Sequence, residues 1–272
     1  MRSPKEIALN NRVMEAASAL LGPGRELDLI HITMEDEEIQ ALQEYANTVS
    51  IKRLHYNDHG PVHMRTVALN AIIMMGLLKK SGIKTSIETE EAGSFEDSLA
   101  ALVTAALLHD IGMSISRQDH ELHSEYMAIP ILDRLFTRVW PGDVARRTIL
   151  RSLALECICG HMGNRTIHSL EAGVLLVADG CDMTKGRARI PMAISVGAAR
   201  VGDIHKYSAN AIEEVRIAGG LTKPIGIEVR MSSEVGIFQV EEILLGKISA
   251  SPAKGYIELF AMVGNGEPKQ YL

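Results

Sequence analysis

The stretch "AALLHDIGMS", Ala105–Ser114, runs apolar residues into an adjacent His and Asp and then reaches Gly112. An apolar run of this kind belongs to a buried helix. Neighbouring ionisable side chains are costly there unless something satisfies them. His109 and Asp110 therefore either close a helix or form part of a site, and Gly112 is expected to be the left-handed stop.

Working outward, the preceding chain is punctuated as a series of helices. "SPKE", Ser3–Glu6, is a capping box with Pro4 at the first helical position, and Gly22 is the stop. "TMED", Thr33–Asp36, is expected to open a second helix, with Ile39, Leu42, Ala46 and Val49 on one face. A third begins at Pro61 in "GPVHM" and ends at "KKSG". "SFED", Ser94–Asp97, caps the helix that runs into His109. Three more follow in "DHELHSEYMAIPIL", "PGDVARRTILRSLALECICG" and "SLEAGVLLVAD", the first of them bent by Pro130.

After about Ser208 the period changes. "AIEEVRIAGG", "KPIGIEVRMS" and "KGYIELFAMV" read as strands, and "EVGIFQVEEILLGKI" between the last two reads as a helix. The expected architecture is mainly α: a helical bundle over residues 1–207, then a small α+β domain (β-β-α-β) over 208–272. So small a unit needs support from the bundle or from a second copy, which suggests a dimerisation or regulatory role and a homodimer.

Composition narrows the function. The formal charge of −6 argues against a broad nucleic-acid surface. With 4% aromatics and 13 methionines, aliphatic packing must build the core. Three cysteines without C-x-x-C spacing read as buried thiols. No signal peptide or apolar run of membrane-spanning length is evident, so the expected location is cytoplasmic, with no membrane partner.

The chemistry lies at helix ends. His63 sits in the first turn of one helix, His109 and Asp110 end another, and Asp179 ends a third in "LLVADGCD". Residues so placed can converge without burying charge in a core. Neutral imidazoles together with carboxylates suit one or two divalent transition-metal ions such as Mn, Fe, Co, Ni or Zn. Asp182, three residues beyond Asp179, competes for the ligand role or hydrogen-bonds to a ligand. Lys185, Arg187 and Arg189 in "TKGRAR" are placed to clamp phosphate oxygens, and His59 to touch substrate.

The segments "HGPVHMRTV", "ALLHDIG" and "VADGCDM" resemble the HD-domain superfamily of metal-dependent phosphohydrolases, over roughly residues 40–200. The resemblance implies that His63, His109, Asp110 and Asp179 hold metal, with Asp110 as a bridge. It implies that His123 in "HELHSEYMA" and His161 in "CICGHMG" serve a second ion; an ordinary solvated pair of His120 and His123, one turn apart, is the alternative. The implied reaction is hydrolysis of a phosphomonoester or phosphodiester, of a nucleotide in particular, by metal-activated water, with Asp110 and His109 catalytic. A dinuclear-iron oxygenase and a non-catalytic nucleotide sensor are the alternatives.

Overall fold

The fold was obtained as a computed structural model that describes residues 2–54, 56–185 and 204–272. Arg187 and Arg189 lie outside the described residues.

The chain begins with α1 (Pro4–Leu21), α2 (Arg25–Glu35) and α3 (Glu37–Thr48), the last continued by a π turn at Val49–Arg53. Ser3 caps α1 by accepting from the Glu6 amide, and Gly22 ends it at φ 65°. The expected start at Thr33 is corrected. Thr33 lies inside α2, where its hydroxyl donates to the Leu29 carbonyl. Asp36 takes the capping role for α3, accepting from the Ile39 amide at 3.1 Å. Both residues had the chemistry of a cap; only Asp36 is extended, as an N-cap must be.

Next come α4 (Pro61–Lys80), the short α5 (Ser86–Thr89) and α6 (Phe95–Leu108). Every residue from Leu99 to Leu108 is buried, so α6 is the central helix, packed by α2, α4 and α8. A 3₁₀ turn at Ile111–Ser114 leads to α7 (His120–Val139, containing Pro130), α8 (Val144–Gly160) and α9 (Leu170–Gly180). Among the described residues, α4 is the one helix long and apolar enough to cross a membrane; here most of it is buried in the bundle.

Gly112 is not left-handed, contrary to expectation. It is needed for close approach: a Cβ there would meet the His120 carbonyl oxygen at 2.2 Å and the Ser124 amide at 2.5 Å. Its own amide donates to Ser124 Oγ at 2.8 Å. The start of α7 is thus drawn against the end of α6.

The C-terminal region opens with α10 (Ile204–Ala211), which runs into β1 (Ile212–Gly219) and β2 (Ile225–Met231). A π turn at Gln239–Leu244 and α11 (Leu245–Ala250) then lead to β3 (Ile257–Val263) and a short β4 (Lys269–Gln270). The sheet order is β1-β2-β3-β4, with β2 and β3 parallel across the helical crossover and the other pairs antiparallel. Ile225, Ile227, Val229, Ile257 and Leu259 turn inward. They join the bundle residues in one continuous apolar core, with β1 against α4 and α11 against α9. Gly173 permits that approach, since a Cβ there would lie 2.6 Å from Ser251 Oγ.

Candidate metal centre

Five helices deliver the site. Pro61 starts α4 and puts His63 in its first turn, while Arg65 points the other way. Arg65 is buried against Glu6 at 3.2 Å and Asn10 at 2.5 Å on α1, and Gln43 at 2.7 Å on α3. Gln43 in turn donates to the Leu107 carbonyl at 2.7 Å. This buried network fixes the start of α4 beside the end of α6, where His109 and Asp110 emerge.

Opposite them, Asp119 adopts a left-handed conformation (φ 54°) immediately before α7, one that Asp tolerates better than most residues. That turn places His120 at the head of the helix. His161 follows α8, and Asp179 lies in the last turn of α9.

The geometry centres on the two oxygens of Asp110. Oδ2 lies 3.2 Å from His63 Nε2 and 3.4 Å from His109 Nε2. Asp179 Oδ1 completes this side, 3.2 Å from His63 Nε2 and 3.8 Å from His109 Nε2. Asp110 Oδ1 faces the other way, 3.2 Å from His120 Nε2 and 3.3 Å from His161 Nε2.

The protonation states follow from the hydrogen bonds. A carbonyl only accepts, so the Nδ1–H groups of His109, His120 and His161 donate to the carbonyls of Ala106, Arg117 and Ile158, at 2.8, 3.0 and 2.7 Å. His63 Nδ1 donates to Asp182 Oδ2 at 2.7 Å. Burial, opposed by nearby Asp110, drives the His109 pKa down to about 3, so that ring is neutral. Burial disfavours charge on Asp110 and Asp179 as well. The surrounding imidazoles for Asp110, and Lys247 followed by His63 for Asp179, outweigh it and hold both carboxyls well below the ordinary range.

The consequence is two pairs of ring nitrogens set face to face. His63 Nε2 faces His109 Nε2 at 3.2 Å, and His120 Nε2 faces His161 Nε2 at 3.1 Å. With each Nδ1 engaged elsewhere, these facing Nε2 atoms are turned to the same space, where a cation can be shared between them. Ligand bonds of ~2.1 Å put neighbouring donors ~3.0–3.4 Å apart in octahedral or tetrahedral geometry, which these spacings match. The donor set therefore fits one or two divalent transition-metal ions. One side offers four protein donors and the other three, leaving coordination positions for water and substrate.

His123 is not among these donors. The structure brings His120 to Asp110 instead, while His123 packs beside Gly112 with its Cβ in the space a residue-112 Cβ would need. His59 lies at the rim, its ring 5.8 Å from that of His63 and its Nδ1 2.6 Å from the Asn57 carbonyl. Lys185 is exposed.

Two cations went unnoticed in the sequence. Lys247 on α11 pairs with Asp179 Oδ2 and donates to the His161 carbonyl at 2.8 Å, so the C-terminal region touches the centre directly. Arg117 places Nη1 3.3 Å from both ring nitrogens of His120. Only the position of Arg117, three residues before a His at a helix start, could have signalled it.

A helical bundle that gathers four imidazoles around two carboxylates is the scaffold of a metal-dependent hydrolase. Residues 62–184 match the HD domain family. The chain is 40% identical over 235 residues to the uncharacterized protein MJ1020 of Methanocaldococcus jannaschii, covering 86% of this chain and 88% of that protein. The chain belongs to the HD-domain family, and its general chemistry is that of the family's metal-dependent phosphohydrolases. No solved structure matches it.

Proposed function

We propose that the chain hydrolyses a phosphomonoester or phosphodiester of a nucleotide at the Asp110 centre. The observation that carries this reading is the set of facing imidazole pairs on either side of one carboxylate. Metal bound there would supply charge neutralisation for the phosphoryl group and a water acidic enough to act as hydroxide near neutral pH.

The protein's own residues have distinct roles in this reading. His63, His109, Asp110 and Asp179 would hold one ion, and Asp110, His120 and His161 a second. Asp110 orients the nucleophile between the two sides. Asp182 fixes the His63 tautomer so that Nε2 stays a ligand. Lys247 neutralises the half of Asp179 that faces away from His63. Lys185 is retained as a phosphate contact by its position in sequence after Asp179, together with Arg187 and Arg189.

Unpaired thiols at Cys157, Cys159 and Cys181 fit a reducing, cytoplasmic setting. A homodimer through the C-terminal region is part of the same reading. Its exposed sheet face sets Glu214 opposite Arg230 and Arg216 opposite Glu228, an alternation that a second copy can complement.

The test is phosphate release from a panel of nucleotides by chelated protein, before and after each divalent metal is restored. Release that appears only with metal supports the proposal. A metal-loaded protein that turns over none of the panel contradicts it.

A further inference from the structure

Arg117 sits in the turn between the 3₁₀ segment and α7, half-buried, with its guanidinium between two rings. On one side Nη1 is 3.3 Å from both nitrogens of His120; on the other, Cζ is 5.8 Å from the centre of the exposed Tyr56 ring. Equal distances to both ring nitrogens describe a group stacked over the imidazole. They do not describe a donor aimed at one lone pair. Neither nitrogen is open to it in any case. Nδ1 carries the proton given to the Arg117 carbonyl, and Nε2 is turned towards Asp110 and His161. The donors of the guanidinium fork are therefore not consumed.

The electrostatics of this placement differ from those of the other guanidinium groups held in the bundle. Arg65 faces Glu6, Arg146 faces Asp97 and Glu26, and half-buried Arg147 bonds to Thr137 and the Pro141 carbonyl. Among the described residues Arg117 has no acidic partner within salt-bridge distance. At the other end of the centre Lys247 is already neutralised by Asp179. With a cation on His120, a guanidinium one ring away is repelled unless an anion lies against both. A planar guanidinium lying between Tyr56 and His120 suits paired hydrogen bonds to an oxyanion.

We infer that Arg117 binds the substrate's phosphoryl oxygens, as a phosphate contact on the His120 side of the centre. This rests on the phosphohydrolase reading above and adds the residue that recognises the anion. The guanidinium would donate to a phosphoryl oxygen held near His120, with the organic part of the ester turned towards exposed Tyr56.

The experiment is calorimetric titration of metal-loaded, full-length protein with inorganic phosphate, alongside metal analysis of the same samples. Wild type is compared with Arg117→Gln and Arg117→Lys. Loss of one charge-assisted contact predicts phosphate binding weakened about ten-fold in Arg117→Gln, with metal content unchanged. Arg117→Lys should recover part of the loss, because it keeps the charge but not the fork. Equal phosphate affinity in wild type and Arg117→Gln overturns the inference. So does loss of metal in both variants, which would make Arg117 a support for His120. Wild type that holds metal but binds no phosphate overturns the phosphohydrolase reading itself.

Discussion

Lys247, on α11 of the C-terminal region, donates to Oδ2 of Asp179, whose Oδ1 lies 3.2 Å from His63 Nε2 on α4. One carboxylate thus joins the crossover helix of the sheet to the metal centre of the bundle. Both side chains are 11% exposed, so the pair is largely desolvated.

Removing one member of such a pair leaves a buried charge uncompensated. Lys247→Met should destabilise the chelated protein by about 3 kcal/mol, and added metal should restore part of the loss by taking over the charge of Asp179. Urea unfolding with and without chelator checks this. A variant as stable as wild type in chelator would show that the pair contributes nothing to the fold.

His120 and His123 give a direct contrast. His120→Ala removes a donor facing Asp110 Oδ1 and should lower metal content by one ion per chain, with hydrolysis falling at least ~10-fold, as for loss of a group that supports a metal site. His123→Ala should leave metal content as in wild type. Metal analysis of the two purified variants decides between them.

The packing at Gly112 makes a third prediction. The methyl of Gly112→Ala has no room beside the His120 carbonyl, and overpacking of this kind costs about 1–3 kcal/mol. Because the residues that must give way carry His120, the second ion should be lost before the fold is. Thermal unfolding together with metal analysis would show both effects.

Acid should weaken the chelated protein in a defined window. The His109 pKa is about 3 in the fold against an ordinary 6.5, so between those values the unfolded chain binds a proton that the folded chain refuses. Its contribution to stability is complete above pH 6.5 and falls steadily as the pH drops towards 3. The depressed carboxyls of Asp110 and Asp179 act in the same direction at lower pH. Melting temperatures of chelated protein at pH 7, 6 and 5 should therefore descend. A flat series would place His109 outside the buried centre.

Much of this centre was legible because its residues stand where apolar helices end. His63 follows Pro61 at a helix start, and His109 with Asp110 closes the buried central helix. The choice between His120 and His123 was not legible. The two lie one turn apart, and only the left-handed Asp119 and the close approach at Gly112 determine which of them turns inward. Lys247 was hidden for a different reason. It reaches Asp179 across the sheet crossover, 68 residues away in sequence, and nothing in its own segment marks it. The strands β1, β2 and β3 were legible from their sequence patterns, whereas two-residue β4 is too short to show a period.

The central claim is that Asp110 stands between two sets of metal donors. The most direct test is an anomalous-scattering map of crystals grown from metal-loaded protein. The account predicts density on one or both sides of Asp110, ~2.0–2.2 Å from its oxygens and from the facing Nε2 atoms. Well-ordered crystals with all six side chains in place and no anomalous density within reach of Asp110 would contradict it.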